Sequence, residues 1–360
     1  MPFENASLVW ELKWDADWVT AVEFIGDSRR LVAGNRLGQL LEWNLPEKLE
    51  GDAPKPVRQL NGHSNSITAL RSTKDGASLF SSSFDHSIRR WNPQAEAAGE
   101  GEVTLNARAI YEAEVRGKGK ESEPETCAVK ICDQSDVLGG HEEWVTVMML
   151  SQDESLLVSG DDSGQVIVRN RESGEEIRRW EVTGWVHALA LSPDNQRAVI
   201  SERYPVVFDS GRHSAIRLWD AGKGEPLADL SGGYKKMYLS AAAWSPDSNR
   251  VVIGRGEEAE GSIWMLDPAE DCKQLQKLSP IHQYGVTDFL FHPDGKHLFS
   301  AGRDTVIRIW EVESGKMVKE LGKPRGGQFK DWIHNIALNA DATLLAAADM
   351  AGQVNVWKLT

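Results

Sequence analysis

Cysteine is scarce in this chain: Cys127, Cys132 and Cys272 are the only three among 360 residues. Such a set offers no disulfide framework, and Cys127-x4-Cys132 lacks a metal-site spacing. A neutral structural role in a reducing compartment is therefore expected for all three. Long hydrophobic runs are also missing, since no stretch approaches the ~18 consecutive apolar residues of a membrane helix. The opening Met1-Pro2-Phe3-Glu4-Asn5 has neither the basic segment nor the apolar core of a secretory signal. A cytoplasmic location with no membrane partner follows as the expectation. Basic charge is in deficit, with 40 Lys and Arg against 54 Asp and Glu, a net charge of −14. Nucleic acid is thus a poor partner, because phosphate binding needs a basic footprint. A cationic partner is favoured electrostatically, although acidity also serves plain solubility. No phosphate-cradling Gly loop with Lys-Ser/Thr and no nucleophile elbow is present, and the Gly-rich stretches read as strand corners.

What the chain does have is a repeat. Val19, Ile67, Val145, Val186, Leu239, Val286 and Ile333 are each followed eight residues later by Asp27, Asp75, Asp153, Asp194, Asp247, Asp294 and Asp341. The aliphatic residues are spaced by 48, 78, 41, 53, 47 and 47 residues, which marks seven copies of one unit. Each unit opens on a strand such as Val-Thr-Asp-Phe-Leu-Phe at 286–291. The Asp then falls in a turn such as Ser192-Pro193-Asp194-Asn195 or His292-Pro293-Asp294-Gly295. Pro presets φ there and Asp bonds nearby backbone N–H groups. A second apolar run follows (Leu156-Leu157-Val158), then a Gly/Asp-rich corner and a third run ending in Trp (Ile307-Arg308-Ile309-Trp310). A fourth strand leads to the next unit, as in Glu176–Trp180. Short strands, regular turns and no helical periodicity argue for an all-β chain.

These residues resemble the WD-repeat family of β-propellers over nearly the whole chain. Gly62-His63 and Gly140-His141 match its Gly-His, and Trp43, Trp91, Trp219, Trp310 and Trp357 match the Trp of its Trp-Asp. Only Trp219 is followed by Asp (Asp220), and units 3 and 5 carry Arg169 and Leu266 in place of Trp. The resemblance implies a seven-bladed β-propeller of four-stranded antiparallel blades as a single domain over 1–360. The blades would start near 18, 66, 144, 185, 238, 285 and 332, leaving no room for a separate catalytic domain. Blade 7 has three strands before Thr360, so residues 7–12 would pair as its outer strand, close the ring and hide two sheet edges. The closed ring gives no reason to require a dimer, so a monomer or a subunit of a complex is expected. The resemblance also implies a structural hydrogen-bond network: His63, Ser81, Asp85 and Trp91 in blade 2, and His282, Ser300, Asp304 and Trp310 in blade 6. Blade 3 keeps His141 and Ser159 without the Trp. The other blades lack the His, and apolar packing is expected to replace it.

Departures from the repeat are where individuality lies. An insertion spans 92–136 between blades 2 and 3, with a polar stretch at 117–125. Val103–Val115 and Thr126–Cys132 are expected to pair as strands of an extended hairpin or a long third-to-fourth-strand loop on the face opposite the Gly-His turns. A second departure is the 203–212 loop of blade 4, which carries Arg203, Tyr204 and Phe208, beside a smaller acidic loop at 256–260. By family analogy both loops emerge on the Gly-His face. A third is the residue just before each repeating aliphatic: Trp18, Trp144, Trp185, Tyr238 and Trp332 in five blades, Ser66 and Gly285 in the others. In the family this position borders the channel mouth on the Gly-His face. Many members carry Trp there for structural reasons. Equally, such rings beside Asp17, Glu142, Glu143 and Asp331 could hold a Lys or Arg side chain.

The function these features favour is a non-enzymatic interaction scaffold holding a protein or peptide on the Gly-His face. Trp18, Trp144, Trp185, Tyr238 and Trp332 would supply contact area, and Arg303 with Arg203, Tyr204 and Phe208 would add specificity. No cofactor, resident metal or catalytic residue is expected. One alternative is a propeller enzyme with a channel metal at His187 and His334, which hold equivalent first-strand positions. The equivalent residues Thr20, Thr68, Thr146, Ser240 and Thr287 supply no third ligand of metal-site type. Another alternative is a purely structural subunit of a multiprotein complex.

Overall fold

A computed structural model describes residues 3–115, 123–204, 214–230, 239–256, 261–269, 272–324 and 332–360. Seven antiparallel blades, each running from an inner to an outer strand, make the fold an all-β seven-bladed β-propeller. Blade 6 is typical: Val286–Phe291, His297–Gly302, Val306–Glu311 and Met317–Gly322 pair in that order. Blade 7 takes its outer strand from the N-terminus. Ser7–Lys13 lies antiparallel to Gln353–Lys358, from Ser7 opposite Lys358 to Lys13 opposite Gln353. The chain divides into two compact units. Met1–Val137 with Gln328–Thr360 holds blades 7, 1 and 2, and Leu138–Gly327 holds blades 3 to 6.

The repeated residues explain the blades. All seven repeating aliphatics are 3% exposed or less, so each inner strand is anchored in the core by its first large residue. Opposite the residue two after each aliphatic, near the end of each second strand, stands a small residue: Gly34, Ser82, Gly160, Ser201, Gly254, Ala301 and Ala348. Within the units the next blade's aliphatic side chain fills the space so left. A Cβ on Gly34 would come within 2.7 Å of Ile67, one on Gly160 within 2.4 Å of Val186, and one on Gly254 within 2.8 Å of Val286. The pairing register also shifts just after the aliphatic in all seven inner strands, as a β-bulge does. The skipped residues are Thr20, Thr68, Thr146, His187, Ser240, Thr287 and His334. Thr20 Oγ1 donates to the Gly34 carbonyl at 3.2 Å and Thr146 Oγ1 to the Gly160 carbonyl at 3.1 Å, while Thr68 Oγ1 bonds the Ser82 hydroxyl at 2.7 Å.

The repeating Asp builds its turn by accepting backbone N–H groups. Asp75 accepts from Ala77 at 2.9 Å, Asp194 from Gln196 at 3.0 Å, and Asp341 from Thr343 at 3.1 Å. The residue two before it closes the loop with a hydroxyl or amide in five blades: Thr73, Ser151, Ser192, Ser245 and Asn339.

The insertion departs from expectation. A hairpin does form, but its first arm is the strand Gly99–Thr104, and residues Ala107–Glu114 are a helix rather than a strand continuation. Thr126–Cys132 pairs antiparallel with Gly99–Thr104 on one side. On the other it pairs in parallel with Pro56–Leu60, the outer strand of blade 1, which makes that sheet six-stranded. The fourth strand of blade 2 is the short Ser135–Leu138 that follows. The expected placement opposite the Gly-His turns needs the same correction. Arg108 of the helix pairs with Asp15 at 2.7 Å and donates to the Ala351 carbonyl at 2.7 Å. Asp15 lies in the connection from an outer strand to the next inner strand, the type of connection that carries Gly62-His63 in the next blade. The hairpin therefore runs along the outer edge of blade 1, and its tip reaches the Gly-His end. The cause is chemical: Val103 and Val129 join the blade 1 core, and Arg108 finds carbonyls and a carboxylate there.

Two outcomes test this packing. Deleting residues 1–13 strips Trp10 and Leu12, both 2% exposed or less, from the core. It should lower the melting temperature sharply, since burial of each large apolar side chain is worth about 1.5–3 kcal/mol. An unchanged melt would contradict closure by the N-terminal strand. Gly160→Ala should cost about 1–3 kcal/mol by overpacking against Val186. Adding Val186→Ala should recover part of that loss in a denaturant-unfolding double-mutant cycle.

Candidate functional site

The Gly-His end is built from two connections per blade. One enters the inner strand, and the other joins the second and third strands. A backbone bond ties them together: Arg36 N–H donates to Trp18 O at 2.9 Å, Phe84 to Ser66 at 2.9 Å and Asp162 to Trp144 at 3.2 Å. Arg303 N–H does so to Gly285 at 3.0 Å and Met350 to Trp332 at 2.9 Å. In blades 1, 2, 3 and 7 this brings two side chains together at that end. Where blade 2 has Ser66 instead of an aromatic, its partner Phe84 supplies one. That residue is missed when only the position before the aliphatic is read along the sequence.

Beneath this end lie the buried networks. In blade 6, Trp310 Nε1–H donates to Ser300 Oγ at 2.8 Å, and Ser300 Oγ bonds His282 Nε2 at 2.7 Å. His282 Nδ1 faces Asp304 at 2.8 Å, and Asp304 also accepts Gln283 N–H at 3.0 Å. Blade 2 repeats the set: Trp91 to Ser81 at 2.8 Å, His63 to Ser81 at 2.7 Å, and His63 to Asp85 at 2.8 Å. Blade 3 completes it differently. Asp161, two residues after Ser159 rather than four, meets His141 at 2.6 Å, and Arg169 replaces the indole donor on Ser159 at 3.3 Å. The sequence signal for Asp161 was a buried-strand Asp with no other role. Blade 1 substitutes apolar packing, with Trp14 edge-on to Trp43 at 6.0 Å. Blade 4 corrects the expectation that apolar packing alone replaces the His. Its fully buried Glu202 accepts Thr183 N–H at 3.1 Å and pairs with Arg217.

The expected contact residues fall into different environments. Trp144 is 45% exposed and Trp185 is 36% exposed. Trp18 is half-buried, with the Arg36 guanidinium 4.6 Å from its ring and His334 stacked at 6.3 Å. Trp332 is also half-buried, as is Arg303. Arg203 is exposed, 5.9 Å from the Trp185 ring, whereas Tyr204 is buried. Tyr238, Phe208, most of the 203–212 loop, residues 257–260 of the acidic loop, and Asp331 lie outside the described residues.

Charge differs from blade to blade. Burial and then the Glu143 carboxylate push the Asp162 carboxyl up, while the exposed Glu142 and Glu143 flank Trp144. In blade 4, burial and then the guanidinium charges of Arg203 and Arg303 push His187 down to about 3. The neutral imidazole is the form that ligates a metal, but the two guanidinium charges near His187 disfavour a bound cation there.

The networks carry a pH signature. Burial lowers His282, so its contribution to stability is complete above its ordinary value of 6.5 and is lost as pH falls below it. Burial pushes Asp304 up, but His282 and Arg308 outweigh that and hold it below its ordinary 3.8, which adds a further loss at lower pH. The free energy of unfolding should decline from about pH 6.5 downward. His282→Ala should cost about 1–3 kcal/mol at pH 7 and flatten that decline in denaturant titrations at several pH values.

Comparison with known proteins agrees with this geometry. The family model "WD domain, G-beta repeat" matches residues 54–92, 132–170 and 272–311. These segments contain the three blades that carry the His–Ser–Asp network. The small ribosomal subunit protein RACK1 of Candida albicans is 25% identical over 297 residues, covering 78% of this chain and 88% of its own length. RACK1 of Caenorhabditis elegans is 22% identical over 338 residues, covering 86% and 97%. The nuclear distribution protein PAC1-1 of Uncinocarpus reesii is 25% identical over 301 residues, covering 74% of this chain and 63% of its own length. With seven blades, their repeated turns and three matched repeats together, the chain is a seven-bladed β-propeller similar to the WD-repeat proteins.

Proposed function

We propose that this chain is a non-enzymatic interaction scaffold that holds a protein or peptide segment at its Gly-His end. The observation that carries this reading is the exposure of two indoles, Trp144 and Trp185, at equivalent positions in the consecutive blades 3 and 4. Most large aromatics of the described residues are buried, so two open indoles side by side are surface that architecture does not require. Trp144 stands among Glu142, Glu143 and Asp162. A Lys or Arg of the partner would gain both ring-face attraction and ion pairing there. Arg203 beside Trp185 would receive an acidic or carbonyl group of the same segment. Trp18 and Trp332, half-buried, have a supporting part. RACK1 relatives named as small ribosomal subunit proteins support a role as a subunit of an assembly. The same names, with three cysteines that form no disulfide, support a cytoplasmic setting.

The test is affinity capture from native lysate, with the parent protein beside a Trp144→Ala/Trp185→Ala variant. Both residues are exposed, so the variant should melt with the parent. A partner bound about ten-fold or more weaker by the variant is expected, as loss of a hot-spot aromatic costs about 1–4 kcal/mol. Equal capture by both would remove these residues from the binding surface and move it elsewhere on the chain.

A further inference from the structure

The turn between the first and second strands of blade 6 differs from its six sisters. Two residues before the repeating Asp, the sisters carry Ile25, Thr73, Ser151, Ser192, Ser245 and Asn339. Three residues after it they carry Arg30, Ser78, Leu156, Arg197, Arg250 and Leu344. Blade 6 has imidazoles at both positions, His292 and His297, around Asp294. Both rings turn Nδ1 toward one carboxylate: His292 lies 3.0 Å from Asp294 Oδ1 and His297 lies 2.7 Å from Oδ2. The ligand atoms of the three residues all fall within 4.8 Å of one another.

We propose that His292, Asp294 and His297 form a binding site for a divalent transition-metal ion of the zinc class. Ligands about 2.0–2.2 Å from a tetrahedral ion lie roughly 3.3 Å apart, so the observed atoms need to move only by about an ångström or less. Two imidazole nitrogens with one carboxylate oxygen select zinc, copper or nickel over magnesium and calcium, which take oxygen ligands. The turn is fixed before any ion arrives. Asp294 Oδ1 accepts Lys296 N–H at 2.8 Å and His297 N–H at 3.2 Å. Asp294 Oδ2 meets His297 Nδ1 at 2.7 Å and Asp294 N–H reaches His292 Nδ1 at 3.2 Å, contacts that a bound ion would replace. Pro293 restricts φ on one side of Asp294, and Gly295 takes φ +66° on the other. The rings cross at 88° with centroids 6.0 Å apart, and His292 rests on Phe299 at 6.2 Å. The three side chains are 18%, 33% and 11% exposed, which gives an ion access and leaves its remaining coordination positions to water or a partner's side chain. The site stands at the far end of the inner strand from His282, so it is independent of the proposed contact surface.

The experiment is zinc titration by calorimetry on tag-free, metal-stripped protein, beside a His292→Ser/His297→Leu variant. Those substitutions install residues that sister turns already use, so the metal-free variant should melt with the parent. One zinc per chain, bound at least ten-fold tighter by the parent and retained in excess magnesium, is the expected result. Equal affinity in both proteins, or displacement by magnesium, would overturn the site. A readout independent of the variant is cobalt(II) loading of the parent. Intense visible bands are expected from four-coordinate, imidazole-bound ion, and a weak hexaaquo-like spectrum would overturn the proposal.

Discussion

The fold depends on a large-to-small interlock between consecutive blades. Within each unit, an aliphatic residue at the head of an inner strand is driven into a space that the preceding blade leaves by placing a small residue near the end of its second strand. Gly34 against Ile67, Gly160 against Val186 and Gly254 against Val286 are the tightest instances. A methyl group at any of them would enter the neighbour's van der Waals volume, and dense interiors give way by little. The bulge immediately after the aliphatic follows from the same contact. The strand is anchored at one residue and released at the next, so a hydroxyl there can reach a carbonyl, as Thr146 does toward Val186 of the next blade.

Once blades are held in this way, the second requirement is that polar atoms near the Gly-His end be satisfied. Blades 2, 3 and 6 do it with a His between a Ser and an Asp. Blade 4 does it with Glu202 and Arg217, and blade 1 packs Trp14 on Trp43 in place of such a network. These solutions share no residue type, but each leaves the entry to its inner strand fixed. The family model matches the three blades that use the first solution. Sequence similarity thus follows one chemistry of satisfaction, while the geometry is common to all the described blades.

Much of this was legible in the sequence. The aliphatic–Asp spacing located every blade because both residues are irreplaceable locally: one fills the interlock and the other accepts turn N–H groups. The networks in blades 2 and 6 were legible by position. What escaped was set by distant contacts. The helix Ala107–Glu114 is short and has no buried residues, and it is held by Arg108 on carbonyls more than 240 residues away. Asp161 was missed because it serves from two residues earlier than its counterparts, a shift that only the folded register shows. Phe84 was missed because its pairing with Ser66 runs through a backbone bond between two turns. Tyr204 read as a loop contact, yet it is buried, since Gly184 beside it leaves room for the ring.

The site and the scaffold are separated by a single residue. Position 19 and its equivalents are aliphatic in every blade because the interlock tolerates nothing else. The residue before it ranges over Trp, Tyr, Ser and Gly, because only its carbonyl is needed, as acceptor for the adjoining turn. In blade 1 the side chain is engaged internally, with Arg36 and His334 against Trp18. In blade 3 the indole is exposed beside Asp162, whose carboxyl is pushed up by burial first and then by the Glu143 charge. A cation arriving there would offset the Glu143 charge as well as meet the ring face, so the same crowding that costs the free protein favours the complex.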